Sequence, residues 1–153
     1  MAHTWDYTVL QKQDLPKKAQ TFMDLLNIDN DEVRIIQLKA NPNGHFIKDF
    51  EDECHLGCYC YFGQIYLFNK CQVGTLIHEL THHFLKREIF DVKYNTEKIS
   101  REFINQFGFK LSNYGHINVY RENWDEVFCE IVAVYGRRGQ FKEIRELFEN
   151  LAA

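Results

Sequence analysis

Val73, Leu76, Ile77, Leu80 and Phe84 recur at spacings of three and four. That is the period with which an α-helix buries one stripe, and it predicts a helix from Cys71 to about Lys86. The stripe constrains the chain because of what lies between its members. The run His78-Glu79-Leu80-Thr81-His82 puts two imidazoles four residues apart, one above the other on a helix face. Side chains so placed can reach one metal ion together, with Glu79 one step round beside the ion's open side. His83 points elsewhere and reads as structural or exposed.

Around this helix the chain divides into an early, strand-rich half and a late, helical half. Asp14-Leu15-Pro16 reads as a helix start, with Ala19, Phe22, Met23, Leu25 and Leu26 as the stripe that follows. Val33–Leu38 reads as a strand stopped by the turn composition Asn41-Pro42-Asn43-Gly44, with a short extended piece at His45–Phe50. Leu56–Phe62 and Gln64–Asn69 read as a hairpin meeting at Gly63. Helices are predicted at Thr96–Phe107, near Asn123–Arg137 and near Phe141–Leu151, with a loop at Leu111–Asn118. The expected class is α+β: a small twisted mixed sheet, then the His78–His82 helix and a helical C-terminal half. At 153 residues and 45% hydrophobic content the chain suits a single domain, 1–153, with one core.

Net charge is −4, and no basic run exceeds two residues. A nucleic-acid partner is not expected, because phosphate binding needs a dense basic face. Nor is a membrane one, since no apolar run approaches the about 20 residues a spanning helix takes. The N-terminus shows no basic segment followed by an apolar one, so a cytoplasmic location is expected. Five cysteines, an odd number, read as reduced thiols. Cys54, His55, Cys58 and Cys60 cluster in sequence, but the alternation Cys58-Tyr59-Cys60 suits a strand, and a structural role is expected for them.

Zinc takes imidazole and carboxylate ligands, and a catalytic site keeps one of its four positions for water. A third protein ligand is therefore needed beside His78 and His82. The extended three-histidine pattern is excluded, because its glycine and histidine positions hold Leu85 and Glu88. The better source is the Asn123–Arg137 helix, whose stripe is Trp124, Val127, Phe128, Ile131, Val134 and Tyr135. Glu126 and Glu130 share one face beside it. One could ligate zinc while the other, a turn on, accepts a hydrogen bond from a ligand imidazole. Glu122 and His116 are weaker substitutes. Two histidines from one helix and a glutamate from another is the gluzincin arrangement.

From Gly74 to Tyr135 the chain resembles the anthrax lethal factor-like metallopeptidases, which include the secreted Pro-Pro endopeptidases. The resemblance rests on His78-Glu79-Leu80-Thr81-His82, on Ser112-Asn113-Tyr114-Gly115 and on Glu126-Val127-Phe128-Cys129-Glu130. Family members carry a Ser-x-Tyr-Gly or Ser-x-Tyr-Ala loop and then a Glu-x-Phe-Ala-Glu helix. The match implies a zincin-like fold, Glu126 as third zinc ligand, Glu130 as its supporting neighbour, and Tyr114 as the oxyanion-stabilising tyrosine. The interval from Tyr114 to Glu126 is longer here, which leaves Tyr120 as the alternative. Cys129 stands where the family has a small alanine, and Thr81 where it has glycine.

The expected function is a zinc-dependent endopeptidase, monomeric, acting on a peptide or protein. Its catalytic residues are Glu79 and Tyr114, its metal ligands His78, His82 and Glu126. An extended substrate is expected to pair with the strand at Leu56–Phe62. Two alternatives stand beside it: a non-catalytic zinc-stabilised binding or inhibitor module, and an intracellular regulatory peptidase that cleaves a repressor.

Overall fold

Ile65 and Leu67 alternate with the less buried Gln64 and Tyr66, the period that turns one face of a strand to the core. The computed structural model describes residues 7–38, 57–60, 63–68, 73–88, 95–107 and 123–151. Four strands, β1 (Tyr7–Leu10), β2 (Arg34–Leu38), β3 (Gly57–Cys60) and β4 (Gln64–Phe68), form one sheet in the order β1-β2-β4-β3. The sheet is mixed: β2 and β4 run parallel, with Ile35 opposite Ile65, while β1 and β3 add antiparallel at the two edges. Gly63, at φ 69, closes the β3–β4 hairpin. A side chain there would be strained, and its Cβ would come within 2.9 Å of the Glu32 carbonyl oxygen.

Five α-helices are described: α1 (Lys17–Leu25), α2 (Val73–Glu88), α3 (Thr96–Phe107), α4 (Trp124–Arg137) and α5 (Phe141–Leu151). The α+β class and the late helices agree with the sequence. The first turns differ from expectation. β1 was not foreseen, and Asp14 does not cap α1. Its carboxylate instead accepts the Gln11 N–H (2.9 Å) around a 3-10 turn at Lys12–Asp14, and Pro16 sits at the helix N-cap. Helix α1 stops at Asn27, whose left-handed φ of 52 lets the Ile28 N–H donate back to the Met23 carbonyl (2.9 Å). The end of α4 uses the same closure, with Gly139 at φ 70 and the Gln140 N–H on the Tyr135 carbonyl (3.0 Å).

The helical layer converges on one aromatic ring. Phe148 of α5 lies 6.3 Å from Phe22 of α1, 5.0 Å from Phe84 of α2 and 5.4 Å from Phe128 of α4, ring centre to ring centre. Such tilted and edge-on pairs add to the stabilisation from burial. The Ile35, Ile65 and Leu67 side chains join Phe22, Ile77, Leu80 and Phe128 in the same core. Helix α2 is therefore buried on more than its apolar stripe: His78, Glu79, Thr81 and His83 are all buried too.

Candidate metal centre

Helices α2 and α4 run antiparallel at close range. Gly74 approaches Arg137, Gly136 approaches Ile77, His78 meets Glu130 and Glu126, and His82 meets Glu126. Rising numbers on one helix meet falling numbers on the other. At Gly136 a Cβ would stand 2.5 Å from the Ile77 Cδ1, so the missing side chain is what lets the helices close at this end. The amino end of α4 is held separately. Asn123 accepts the Glu126 N–H (3.4 Å), Thr96 of α3 donates to Asp125 (2.6 Å), and Arg101 lies 4.6 Å above the Trp124 ring. These contacts fix the turn that carries Glu126.

The three residues assigned as metal ligands come together. The Glu126 carboxylate bridges the two imidazoles, one oxygen 2.9 Å from His78 Nε2 and the other 2.7 Å from His82 Nε2. On its other side His78 Nδ1 donates to Glu130 at 2.6 Å, the outer hydrogen bond that orients a ligand histidine. The rings of His78 and His82 are 4.9 Å apart, edge to face. Donors around a tetrahedral zinc, each about 2.0–2.2 Å from it, stand about 3.3 Å from one another. The observed separations are a few tenths of an ångström shorter. A small retreat of the carboxylate would make room for a cation, so this donor set fits one.

The electrostatics say what the cluster does while it holds a proton in place of a metal. Burial pulls His78 toward the neutral form. Hydrogen bonds to Glu126 and Glu130, with the Glu79 charge, outweigh burial and raise its pKa to about 10. Burial likewise opposes ionisation of Glu126, but the hydrogen bonds from His78 and His82 depress its pKa to about 2. The two shifts describe one shared proton and one ion pair. A site that already concentrates this much negative charge around two imidazoles is built for a positive charge.

Sequence reasoning passed over one donor. The Cys129 thiol belongs with His78 and His82 in a group whose ligand atoms all lie within 4.8 Å of one another and which could hold a metal ion. Cys129 is completely buried. Burial and the charges of Glu126, Glu79, Asp125 and Glu130 push its pKa well above the usual thiol range. Its position three residues beyond Glu126 was the available signal, because that spacing returns to the same helix face.

His83 takes a structural place. Its Nε2 lies 3.4 Å from Glu32, which also receives Arg87 at 2.9 and 3.1 Å. Arg87 donates in addition to the carbonyls of Leu26 and Asn27, tying the end of α2 to the end of α1. Tyr114, Tyr120, Glu122, His116, Cys54 and His55 lie outside the described residues. Cys58 and Cys60 fall on β3, as their alternation predicts.

No family model matches the chain, and neither does any curated protein or solved structure. What the site can do therefore rests on its own residues. Among the described residues no helix is long and apolar enough to cross a membrane.

Proposed function

We propose that this chain is a zinc-dependent endopeptidase on a zincin-like fold, with the metal held by His78, His82 and Glu126. The observation that carries the reading is the Glu126 carboxylate set between the two Nε2 atoms, at 2.9 and 2.7 Å. Zinc, when bound, lowers the pKa of its water toward about 7 and polarises a carbonyl oxygen.

The chain's own residues supply the rest. Glu79 is adjacent in sequence to His78 and buried beside it, where a carboxylate can take a proton from water and return it to the leaving amine. Glu130, on His78 Nδ1, fixes the ring with Nε2 toward Glu126, where it would serve as a ligand. On its sequence match, Tyr114, with Tyr120 as the alternative, is assigned to hydrogen-bond the developing oxyanion. An extended peptide would pair with β3, an edge strand of the sheet among the described residues.

One observation favours a second reading. With Cys129 beside the histidines the site has enough donors to enclose a metal with no open position, as a zinc-stabilised binding module would. Glu79→Gln separates the two. The peptidase reading expects unchanged zinc content and cleavage of a peptide library reduced by several orders of magnitude. Unchanged turnover removes Glu79 as the base. Zinc bound with no cleavage by the parent protein favours the binding module.

A further inference from the structure

We propose that Cys129 is itself a ligand of this metal, so that the resting site has four protein donors, His78, His82, Glu126 and Cys129, rather than three. The proposal rests on the metal reading above and goes beyond it, because it assigns the position that a catalytic zinc leaves to water.

Three observations lead there. The Cys129 sulfur lies within 4.8 Å of a ring nitrogen of each histidine. Sulfur and nitrogen donors on one zinc, at about 2.3 and 2.0 Å from it, stand about 3.5 Å apart, so a shift of about an ångström suffices. Next, the sulfur and the Glu126 carboxylate arise from one turn of α4, three residues apart, and both meet the α2 histidines. Finally, the thiol is completely buried at the edge where the hydrophobic core meets the histidines, and the charges of Glu126, Glu79, Asp125 and Glu130 reach it. A neutral apolar side chain of similar size would fill that space without a group that a cation can ionise.

On binding, the S–H bond breaks, a sulfur–metal bond forms and the proton leaves to solvent; nothing is oxidised or reduced. A thiolate also makes the site softer than a two-histidine, one-carboxylate set, favouring zinc and cobalt over magnesium or calcium. The catalytic consequence is latency. With the thiolate in place water has no vacant position, and the site opens only when Cys129 leaves the metal.

The test is cobalt(II) titrated into the reduced, zinc-stripped full chain, read by absorption. The expected result is visible ligand-field bands of a tetrahedral ion together with a near-ultraviolet sulfur-to-cobalt charge-transfer band. In Cys129→Ala and Cys129→Ser the ligand-field bands should persist and the charge-transfer band should be lost. Ligand-field bands without charge transfer in the parent protein would overturn the Cys129 assignment and leave the metal site intact. Charge transfer that survives both substitutions would overturn it too, by placing the sulfur on another cysteine. Absence of all cobalt bands in the parent protein would remove the metal site and the proposal with it. A parent spectrum without charge transfer overturns the assignment even where a substituted chain fails to fold, and where one substituted chain fails the other carries the comparison.

Discussion

Glu126 sits between His78 and His82 as a bridge, each carboxylate oxygen within hydrogen-bonding distance of one Nε2. Glu130 touches His78 from behind, at Nδ1. The two glutamates are a turn apart on α4, yet the geometry gives them unequal work.

That inequality predicts a ranking. Losing an outer hydrogen-bond partner of a ligand histidine costs about 10–100-fold in metal affinity, which is the expectation for Glu130→Gln. Glu126→Ala would remove the proposed third ligand and should cost more. Glu122→Ala should cost less than either. Zinc competition with a chromogenic chelator checks all three, and Glu122→Ala proving the weakest binder would move the third ligand there.

Metal should also stabilise the fold, because the site joins α2 to α4 across the core. A ligand that binds only the folded chain, at a free concentration a hundredfold above its Kd, adds about 2.7 kcal/mol. For a chain of this size that is roughly 5–10 °C in Tm. Thermal unfolding with zinc and with a chelator should differ by that amount in the parent protein. The difference should vanish in His82→Ala, and an equal shift in that variant would place the stabilising ion elsewhere.

How much of this could be read from the chain depends on where partners lie. Glu126 and Glu130 were assigned to the site, and Asn123 opens α4 with its side chain on the Glu126 N–H, because caps and helix faces are local properties of sequence. The polar residues of α2 were not legible in the same way. A period of 3.6 leaves Glu79 and Thr81 off the apolar stripe, yet both are buried. Thr81 survives burial by donating to the Ile77 carbonyl (2.7 Å) one turn back. His83 does so by pairing with Glu32 across the fold. No local pattern announces a partner that remote. The strand Tyr7–Leu10 escaped for a related reason. Tyr7 and Thr8 are exposed, so β1 lacks clear apolar alternation, and its pairing with β2 is non-local.

The close approach of α2 and α4 can be tested at its two glycines. Gly136→Ala drives a methyl to 2.5 Å from the Ile77 Cδ1 and 3.1 Å from its Cγ2, and Ile77 is fully buried. Overpacking of that kind costs about 1–3 kcal/mol, against a helix-propensity gain of at most about 1 kcal/mol. At Gly74→Ala the nearest atoms are those of the Arg137 side chain, which is exposed and can swing aside. Urea unfolding should show Gly136→Ala destabilised and Gly74→Ala neutral or slightly stabilised. Zinc affinity should fall only in the first, since Ile77 immediately precedes His78. Equal behaviour of the two would mean that the helices do not need Gly136 to close.

The buried His83 sets a pH dependence with a definite sign. Burial lowers its pKa, with the Glu32 charge only partly opposing. The unfolded chain therefore takes up a proton near pH 6.5 that the folded chain still refuses, and stability falls as the pH drops below that value. Two other groups stay out of this window. His78, raised to about 10, contributes stability that is complete below pH 6.5 and declines as the pH rises from there to about 10. Glu126, depressed to about 2, and Glu32, also lowered, contribute stability that falls away only below about 4.5, where the unfolded carboxyls begin to protonate. Between pH 6.5 and 4.5, then, His83 alone among these four groups gives the unfolding free energy a slope. In chelator, His83→Gln keeps an N–H donor for Glu32 and removes the titration. Its stability should decline less steeply across that interval than the parent's, as read from urea midpoints at half-unit steps of pH. Parallel declines would show that His83 is not the group that refuses the proton.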